Sequence, residues 1–476
     1  MQIPLLPSPI ADGLRWLRER GHQPWLVGGA PRDLLLGRPV ADFDVAVAAD
    51  GFALSRALAN VLRAAWVPLD EARGVGRVVL RHHHDWLWLD IARFRDGALE
   101  ADLLQRDFTV NAIALDPTTG TTVDPSDGLA DLEARRLRPT NERAFLDDPL
   151  RILRGVRLSA THGLSLDPSC QPLMRQAAPQ LREVAGERQR EEWLKLLAPA
   201  GAAARVERLD DFGVLPHLLP ELHATQGVTQ SLPHSHDVFG HSLLVLSAIE
   251  QLWPWGDDPL WDGPFAPWRA PIEAHLQAEL AHGMTRWQLL KHVALLHDIG
   301  KAVTRTVGED GRIHFYQHDR VGAELLDGIS RRLRFSNEGQ RYSALLVSHH
   351  LRPLQLGHHL PVSDKSLYRL FRALRHSALD LALLSLADQR GKAFATDRAE
   401  VVAACRAIFA AFFDEPQRYL DVTPLLDGNE IMQRFGWQGR RIGQALEFLR
   451  EQQAMGKVRS EDEAERALRG WSPKAS

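Results

Sequence analysis

Two short groups of residues near the N-terminus have the composition that metal-assisted transfer of a nucleotide requires. In Gly28-Gly29-Ala30-Pro31-Arg32-Asp33, two glycines follow an apolar segment, and their backbone N–H groups and Arg32 can contact phosphates. In Asp42-Phe43-Asp44, alternate residues of a strand point to one face and can hold a divalent cation. Taken singly, a tight turn and a solvated strand end explain these groups. Together they predict a Mg²⁺-dependent site for nucleotidyl transfer.

A third carboxylate usually completes such a site, and Asp90 is the candidate. It lies on the strand-like segment Leu87–Arg93. An ordinary aspartate at the end of a strand explains it equally well.

In a later part of the chain, a set of four residues predicts a surface that recognises a base. Asp148 is followed by Arg151, Arg154 and Arg157, and steps of three place these arginines along one face of a helix. An aspartate acceptor and an arginine donor would offer the edge of a base fixed hydrogen-bond partners. A nucleotide could then be chosen without a nucleic-acid template, although a solvated basic face is the simpler alternative.

The elements that must position these residues divide the chain into an α/β part and a helical part, which makes the predicted fold class α+β. The predicted strands are Trp25–Val27, Phe43–Val47, Arg77–Leu80 and Trp86–Ile91, and the predicted helices include Leu14–Arg20 and Phe52–Ala65. From about Ala144 the strand patterns stop and helical spacing dominates to the C-terminus. The stretch Trp253–Pro271 is predicted to be an irregular insertion.

A second group with metal-binding chemistry lies in the middle of the chain. His241, the pair His297-Asp298, and Asp388 follow in order, with His318 and His349 between them. The pair follows an apolar helical run and can place two ligands on one metal if His241 and Asp388 come from neighbouring helices.

Composition limits the class of protein. The 476 residues predict three or four domains, and a net charge of −4 means that local arginine patches would have to hold a nucleic acid. Cys170 and Cys405 form no metal or disulfide pattern, which fits a reducing cytoplasm. No apolar run approaches the roughly 18 residues that a membrane span needs, so no membrane partner is expected.

The motifs of the first half resemble the bacterial class II tRNA nucleotidyltransferase and poly(A) polymerase family over roughly residues 20–215. They are Gly28-Gly29-x-x-Arg32-Asp33, Asp42-x-Asp44, Arg106-Asp107-Phe108-Thr109-x-Asn111-Ala112 and Asp147-Asp148-x-x-Arg151. The resemblance implies a polymerase-β-like head with Asp42 and Asp44 as Mg²⁺ ligands. The residues implied to contact the nucleotide are Gly28, Gly29, Arg32 and Arg106. Asp148 and Arg151 would contact the base, with Arg154 and Arg157 supporting the pocket, and Val184–Leu197 resembles the next family motif.

The histidine group resembles the HD phosphohydrolase superfamily over about residues 235–395. The resemblance implies one or two divalent metals of unspecified identity, and a metal-bound water that attacks a phosphoester. In multifunctional relatives such a domain hydrolyses phosphomonoesters and 2′,3′-cyclic phosphates. A degenerate domain with only a structural role is the alternative.

Three departures from the family pattern bear on the product. Pro31 stands where valine is common, and Gln105 stands where a first arginine is usual. Only Asp96–Leu104 separates Arg95 from Gln105, where full CCA-adding enzymes have a longer loop associated with switching from CTP to ATP. Loss of that loop resembles the CC-adding members, and it removes one means of reshaping the base pocket. We therefore expect addition of two cytidines from CTP to the tRNA 3′ end, with a separate A-adding enzyme acting afterwards.

The predicted domains are a head (1–136), a helical neck that recognises nucleotide and RNA (137–220), an HD domain (230–400) and a small C-terminal module (415–476). In that module Gly439-Arg440-Arg441 opens a helix and is a candidate contact for the tRNA backbone. The rival functions are a full CCA-adding enzyme that also uses ATP, a poly(A) polymerase, and an HD phosphohydrolase whose head only binds RNA.

Overall fold

The computed structural model describes residues 6–83, 85–281, 283–392 and 398–472. The chain forms two compact units. The first runs to Val184 and includes Asp211–His217, and the second comprises Ala185–Asp210 and the chain from Leu218 onward. The four predicted domains would subdivide these units, and their boundaries stay predictions.

The first unit contains a seven-stranded mixed sheet. Its strands are β1 (Trp25–Val27), β2 (Asp42–Val47), β3 (Ala65–Asp70), β4 (Val75–His82), β5 (Asp85–Arg93), β6 (Ala114–Leu115) and β7 (Thr122–Val123). Their order in the sheet is β3-β4-β5-β2-β1-β6-β7. Strands β2 and β5 are parallel, and the other neighbouring strands are antiparallel. The predicted α+β class and mixed sheet are confirmed.

Helices and one pair of short strands complete the first unit. The helices are α1 (Ser8–Glu19), α2 (Gly29–Leu35), α3 (Gly51–Leu62), α4 (Leu99–Leu104), α5 (Gly128–Glu133), α6 (Ala144–Asp147), α7 (Arg151–His162) and α8 (Cys170–Ala177). Short 3₁₀ helices form at Arg95–Gly97, Thr109–Asn111 and Ala178–Glu183. Strand β8 (Arg136–Leu137) pairs in parallel with β9 (Ser165–Leu166).

The two faces of the sheet have different chemistry. Alternate residues of β2 and β5, such as Val45 and Leu89, point into an apolar core that also contains Leu14 of α1 and Leu58 of α3. The residues between them point to the opposite face. This alternation places Asp42, Asp44 and Asp90 outside this apolar core, on the opposite face of the sheet.

The predicted helix over Phe52–Ala65 is too long at its C-terminal end. Helix α3 ends at Leu62 because Arg63 has a φ of 50°, in the left-handed region. Ala65 already belongs to strand β3, an edge strand of the sheet. The alanine-rich sequence has helical propensity, but pairing with β4 determines its structure.

The second unit is mostly helical. Its helices, with the short α11 at the boundary, are α9 (Gly186–Leu197), α10 (Ala202–Asp211), α11 (Leu215–Leu218), α12 (Pro220–His223), α13 (Val238–Gln251), α14 (Arg269–Gln277), α15 (Arg286–Leu296), α16 (Lys301–Thr304), α17 (His318–Arg332), α18 (Asn337–His349), α19 (Arg352–Gly357), α20 (Asp364–Leu374), α21 (Ser377–Arg390), α22 (Ala399–Phe413), α23 (Pro416–Tyr419), α24 (Gly428–Phe435), α25 (Arg440–Ala454) and α26 (Glu461–Arg469).

The prediction that strands stop near Ala144 is wrong. Besides β9, two hairpins occur, formed by β10 (Glu279–Ala281) with β11 (Met284–Thr285) and by β12 (Arg305–Val307) with β13 (Ile313–Phe315). Each strand is only two or three residues long, which is too short to produce a detectable alternation in the sequence.

The Trp-rich stretch Trp253–Pro271 consists of turns, the 3₁₀ turn Ala266–Trp268 and the first turn of α14. It is nevertheless packed, because Trp261 and Phe265 are buried and the Phe265 ring lies 5.0 Å from that of Phe409 in α22.

Helix α7, which carries the predicted base-binding arginines, depends on a glycine for its position. A Cβ atom at Gly155 would lie 2.9 Å from Cε of Met174 and 2.9 Å from Cζ of Phe108. Phe108 is buried and belongs to the Arg106–Ala112 motif. The glycine therefore lets this motif approach the helix closely.

We predict that Gly155→Ala destabilises the first unit by about 1–3 kcal/mol, because the added methyl overpacks the contact with Phe108. The matched control is Gly328→Ala in the middle of α17, where an added Cβ meets no atom within 4 Å. That change should stabilise the protein by roughly 0.5–1 kcal/mol, as expected for an exposed helical glycine. Urea denaturation measures both effects, and equal shifts for the two variants would contradict the packing argument.

Candidate functional site

The pairing of three strands brings the predicted carboxylates together. Asp44 of β2 lies directly opposite Asp90 of β5, and Asp90 lies directly opposite Arg77 of β4. Opposite residues of paired strands share a face of the sheet, so these three side chains form one row. Asp42 is two residues before Asp44 and lies on the same face. The structure thus brings Asp42, Asp44 and Asp90 together as predicted.

Gly28 touches this row. A Cβ atom at Gly28 would lie 2.6 Å from Oδ2 of Asp44 and 3.1 Å from Nη1 of Arg106. The residue also has a φ of 74°, which a side chain would strain. Any residue other than glycine would therefore displace Asp44 or Arg106.

The electrostatic environment of Asp44 favours binding of a cation. Burial raises the pKa of Asp44, and the negative charges of Asp42 and Asp90 raise it further against the lowering effect of Arg106, to about 6. A divalent ion would compensate for this accumulation of negative charge. Asp42 is 60% exposed and accessible to such an ion. The oxygen donors of Asp42 and Asp44 fit Mg²⁺.

Arg32, predicted to contact phosphate, is buried in a hydrogen-bond network. Its Nε and Nη2 donate to the two carboxylate oxygens of Asp33 at 3.0 and 2.8 Å, and its Nη1 donates to Oδ1 of Asn111. A Cβ atom at Gly29 would lie 3.2 Å from Nη2 of Arg32. Gly29 therefore provides the space that this guanidinium occupies, and the turn is held in place by Arg32.

The network continues on both sides of Arg32 to helix α7. Nδ2 of Asn111 donates to Oδ1 of Asp107 at 3.0 Å, and Asp107 pairs with Nε of Arg154 at 2.6 Å. On the other side, Nε2 of His162 lies 3.1 Å from Oδ1 of Asp33. Sequence reasoning assigned no role to Asp107, Asn111 or His162. Asp107 and Asn111 belong to the same sequence motif as Arg106, and this could have indicated a role for them.

Arg106 is fixed by a buried carboxylate. Its Nε and Nη2 donate to Oδ2 of Asp102 in α4 at 3.2 and 2.9 Å. This leaves the guanidinium beside Asp44, where its charge lowers the pKa of that carboxyl group. The predicted position of Arg106 at the nucleotide site is consistent with this geometry.

The predicted base-binding residues lie at the start of α7. Arg151 donates to three backbone carbonyls, those of Gln105 at 2.7 Å, Arg106 at 3.3 Å and Ala144 at 3.2 Å. Asp148 precedes the helix, and its Oδ1 accepts from the backbone N–H of Leu150 at 3.3 Å. Arg154 and Arg157 follow on the same helix. The structure thus links Arg151 to the backbone of the Arg106 motif.

The second unit gathers histidine and aspartate side chains, all buried except the partly exposed His318, into two adjoining groups. The first consists of His241, His297, Asp298 and Asp388, and the second of Asp298, His318 and His350.

In the first group, Nε2 of His241 lies 3.1 Å from Oδ1 of Asp388 and 3.5 Å from Oδ2 of Asp298. Nε2 of His297 lies 3.2 Å from Oδ2 of Asp298 and 3.8 Å from Oδ1 of Asp388. The predicted ligands therefore converge.

Asp298 is shared between the two groups. Its other oxygen, Oδ1, lies 3.5 Å from Nε2 of His318 and 3.7 Å from Nε2 of His350. The two imidazole nitrogens are 3.2 Å apart. A carboxylate with one oxygen facing each group can bridge two metal ions.

The structure corrects the prediction for His349. His349 belongs to neither group, and its Nδ1 lies 2.8 Å from Oγ of Ser348 and 3.0 Å from the carbonyl of Leu345. The buried neighbour His350 takes its place. Successive residues at the end of helix α18 project about 100° apart, so only one of an adjacent pair can face the ligands.

Backbone carbonyls orient all four histidines in these groups. Their Nδ1 atoms lie 2.7–3.0 Å from the carbonyl oxygens of Gly391, Ala294, Phe315 and Val347, in the order His241, His297, His318 and His350. When Nδ1–H donates to a carbonyl, the neutral form of each ring has its lone pair on Nε2, the nitrogen that faces the aspartates. This is the arrangement that a metal-binding histidine requires.

Cationic side chains balance the aspartates. Nζ of Lys301 lies 2.6 Å from Oδ2 of Asp298, and Nζ of Lys392 lies 2.9 Å from Oδ2 of Asp388. Burial would lower the pKa of His297, but Asp298 and Asp388 raise it to about 9. The donor set of imidazole nitrogen and carboxylate oxygen fits a divalent transition metal.

Three family models match successive parts of the chain. A model described as the poly A polymerase head domain matches residues 24–138, one for a probable RNA-binding site of polymerase A matches 163–226, and an HD domain model matches 274–389. An A-adding tRNA nucleotidyltransferase of Deinococcus radiodurans is 36% identical over 94% of this chain and 95% of its own length. A CC-adding tRNA nucleotidyltransferase of Thermus thermophilus is 34% identical over 94% and 93%.

The chain belongs to the tRNA nucleotidyltransferase family.

A solved structure supports the fold alone. The Thermotoga maritima CCA-adding enzyme complexed with tRNA covers 98% of this chain and 96% of its own with a TM-score of 0.61 at 19% identity. The resemblance inferred from the Gly28-Gly29 and Asp42-x-Asp44 motifs is confirmed, as are the predicted enzyme class and the presence of an HD domain. Within the described residues, no helix is both long enough and apolar enough to span a bilayer.

We predict that Asp44→Asn raises the melting temperature of the metal-free nucleotidyltransferase. The folded state binds the Asp44 proton more tightly than the unfolded chain, so stability falls as the pH rises from about 4 to about 6 and the loss is then constant at higher pH. The amide removes this cost. Differential scanning calorimetry in EDTA at pH 5 and pH 8 should show the larger gain at pH 8.

Asp42→Asn is the matched control, because Asp42 is exposed and should give a smaller gain in melting temperature. An Asp44→Asn variant that is less stable than the wild type at pH 8 would contradict the electrostatic argument.

Proposed function

We propose that this nucleotidyltransferase adds cytidines from CTP to the 3′ end of tRNA, with Mg²⁺ held by Asp42 and Asp44. The observation that carries the proposal is the row of carboxylates formed by pairing β2 with β5, with Gly28 and Arg106 against Asp44. A Mg²⁺ ion held there would neutralise triphosphate oxygens and lower the pKa of the attacking 3′-hydroxyl.

The remaining groups of the site orient the two substrates. Arg106, held by Asp102 at 2.9 Å, presents positive charge beside Asp44, where the phosphates of CTP would lie. Asp148 and Arg151 would contact the base. Because Arg151 is hydrogen-bonded to the carbonyls of Gln105 and Arg106, base recognition and phosphate binding are coupled through one backbone segment.

Addition of CC alone, with the final adenosine left to a separate enzyme, is the finer proposal. It is supported by the segment Asp96–Leu104, which is short and held at both ends. Asp102 lies 3.6 Å from Nε of Arg95 and pairs with Arg106, and Gln105 donates to Asp96. Such a segment lacks the length to act as a mobile lever. Named relatives include both CC-adding and A-adding enzymes, so the nucleotide must be tested directly.

The test offers CTP and ATP separately to tRNAs that end at the discriminator base, at C and at CC. We expect CMP to be added to the first two substrates and no adenosine to be added to the CC end. Asp42→Ala should lower CMP transfer by at least about 100-fold, because charge stabilisation of the transition state is lost. Asp12→Ala, which removes an exposed carboxylate of α1, is the control that should retain transfer.

Adenosine addition to the CC-ended tRNA would refute the CC-only proposal. Absence of transfer with every tRNA and nucleotide would refute the transferase proposal itself and favour the phosphohydrolase as the principal activity.

We infer a second activity, hydrolysis of phosphoesters at the histidine groups of the second unit, with two divalent metals. The convergence of four histidine Nε2 atoms, three of them from buried residues, on Asp298 and Asp388 supports this inference. A metal bound there supplies an activated water for attack on phosphorus. Lys301 and Lys392 would balance the charge of the aspartates around the substrate phosphate.

We predict that His350→Ala loses about one bound metal ion per chain, because it removes one of the ligands around Oδ1 of Asp298. His349→Ala, which changes the adjacent histidine outside the group, should keep the wild-type metal content. Mass spectrometric metal analysis after loading with Mn²⁺ or Ni²⁺ measures the content, and hydrolysis of bis(p-nitrophenyl) phosphate measures activity. Equal losses in the two variants, or loss only in His349→Ala, would contradict the assignment.

We also propose that the enzyme works in the cytoplasm. Cys170 and Cys405 are both buried and are not joined in a disulfide bond, as expected for thiols in a reducing compartment.

A further inference from the structure

Arg77 and Asp90 form a two-point ion pair inside the candidate transferase site. Nε of Arg77 lies 2.7 Å from Oδ1 of Asp90, and Nη2 lies 2.8 Å from Oδ2. The Asp90 side chain is 11% exposed and that of Arg77 is 29% exposed. A parallel pair of charge-assisted hydrogen bonds fixes the guanidinium in both position and orientation.

The same guanidinium reaches the other end of the carboxylate row. Nη2 of Arg77 lies 3.6 Å from Oδ1 of Asp42. Asp42 and Arg77 do not face each other in the strand register. The two residues lie on β2 and β4, so their contact spans β5, the strand on which Asp90 holds the Arg77 guanidinium.

This geometry separates the roles of the three aspartates. Both oxygens of Asp90 accept from Arg77, whereas Asp44 has an oxygen against Gly28 and Arg106. Asp42 is mostly exposed, and an exposed side chain loses rotamer freedom when it binds a metal. A cation held beside Asp42 restrains that side chain before the metal arrives.

We propose that Asp90 fixes the position of Arg77 and is not a metal ligand, and that Arg77 is a positioning residue which orients Asp42 toward Mg²⁺. The proposal rests on the proposed transferase function. It replaces the expectation that Asp90 is a third metal-binding carboxylate. Arg77 also places one positive charge between Asp90 and Asp42, which reduces repulsion within the row while the metal is absent.

The two roles for Asp90 differ in how the effects of substitutions combine. If Asp90 acts through Arg77, removing either partner gives the same defect, and removing both gives no further defect. If Asp90 binds the metal, its removal weakens metal binding whether or not Arg77 is present. A double-mutant cycle distinguishes these cases.

The experiment measures Mn²⁺ affinity by electron paramagnetic resonance, without nucleotide, and CMP transfer to tRNA in parallel. The variants are Arg77→Gln, Asp90→Asn, the double variant and Asp42→Asn. Because the second unit also binds divalent metals, all variants carry His241→Ala and His350→Ala as a common background. We expect Arg77→Gln, Asp90→Asn and the double variant each to weaken Mn²⁺ binding and transfer by a similar factor of roughly 10 to 100. Asp42→Asn should abolish binding at the transferase site.

Arg77→Lys provides a further variant if Asp90→Asn does not fold. A lysine keeps the charge but cannot form the two-point pair, so its Mn²⁺ affinity should fall between those of the wild type and Arg77→Gln. Three results would each overturn the proposal. They are Mn²⁺-affinity losses that multiply in the double variant, an Asp90→Asn defect as severe as that of Asp42→Asn, and wild-type Mn²⁺ affinity in Arg77→Gln. Failure of the wild type to transfer CMP would overturn the transferase function, while the Mn²⁺ cycle would still test the roles of Arg77 and Asp90.

Discussion

Electrostatic repulsion within one row of carboxylates is the constraint on which the first unit depends. Parallel pairing of β2 with β5 sets Asp44 directly against Asp90, and Asp42 follows on the same face. Burial and these neighbours raise the pKa of Asp44 to about 6, so ionisation of this carboxyl group destabilises the folded protein in the absence of metal. The apolar core behind the sheet, which contains Val45 and Leu89, holds the strands in this register. Burial of the apolar core therefore stabilises the fold against this repulsion and maintains a site that attracts a cation.

Around that row, a continuous set of hydrogen bonds connects elements that are distant in sequence. His162, Asp33, Arg32, Asn111, Asp107 and Arg154 follow one another as donor and acceptor partners. The chain of contacts joins the turn after β1, the 3₁₀ turn Thr109–Asn111 and helix α7. Arg106 directly precedes Asp107, and Arg151 is the first residue of α7, so the same set of hydrogen bonds connects the groups proposed to bind phosphate and base. Buried polar networks of this kind fix a single arrangement when every member is satisfied.

The sequence was sufficient where chemistry and periodicity coincide. Alternation in Asp42-Phe43-Asp44 predicted the strand and its polar face, and the ordered histidines and aspartates predicted ligands that converge in space. The sequence was insufficient where strand register or the rotation of a helix determines which residue faces the site. Arg77 becomes part of the site only because β4 pairs with β5 in a register that places it opposite Asp90. His350 rather than His349 faces Asp298 because of where helix α18 ends.

The two candidate metal sites differ in a way that follows from their donors and burial. The transferase site offers carboxylate oxygens alone, one of them on the mostly exposed Asp42, and suits a hard cation that arrives with a triphosphate and leaves with pyrophosphate. The second site offers imidazole nitrogens fixed by backbone carbonyls and an aspartate, Asp298, that is almost fully buried. Such donors bind transition metals tightly and exchange them slowly, so a resident metal suits this site. From the burial of its ligands we therefore expect a metal at the second site to exchange more slowly than Mg²⁺ at the transferase site.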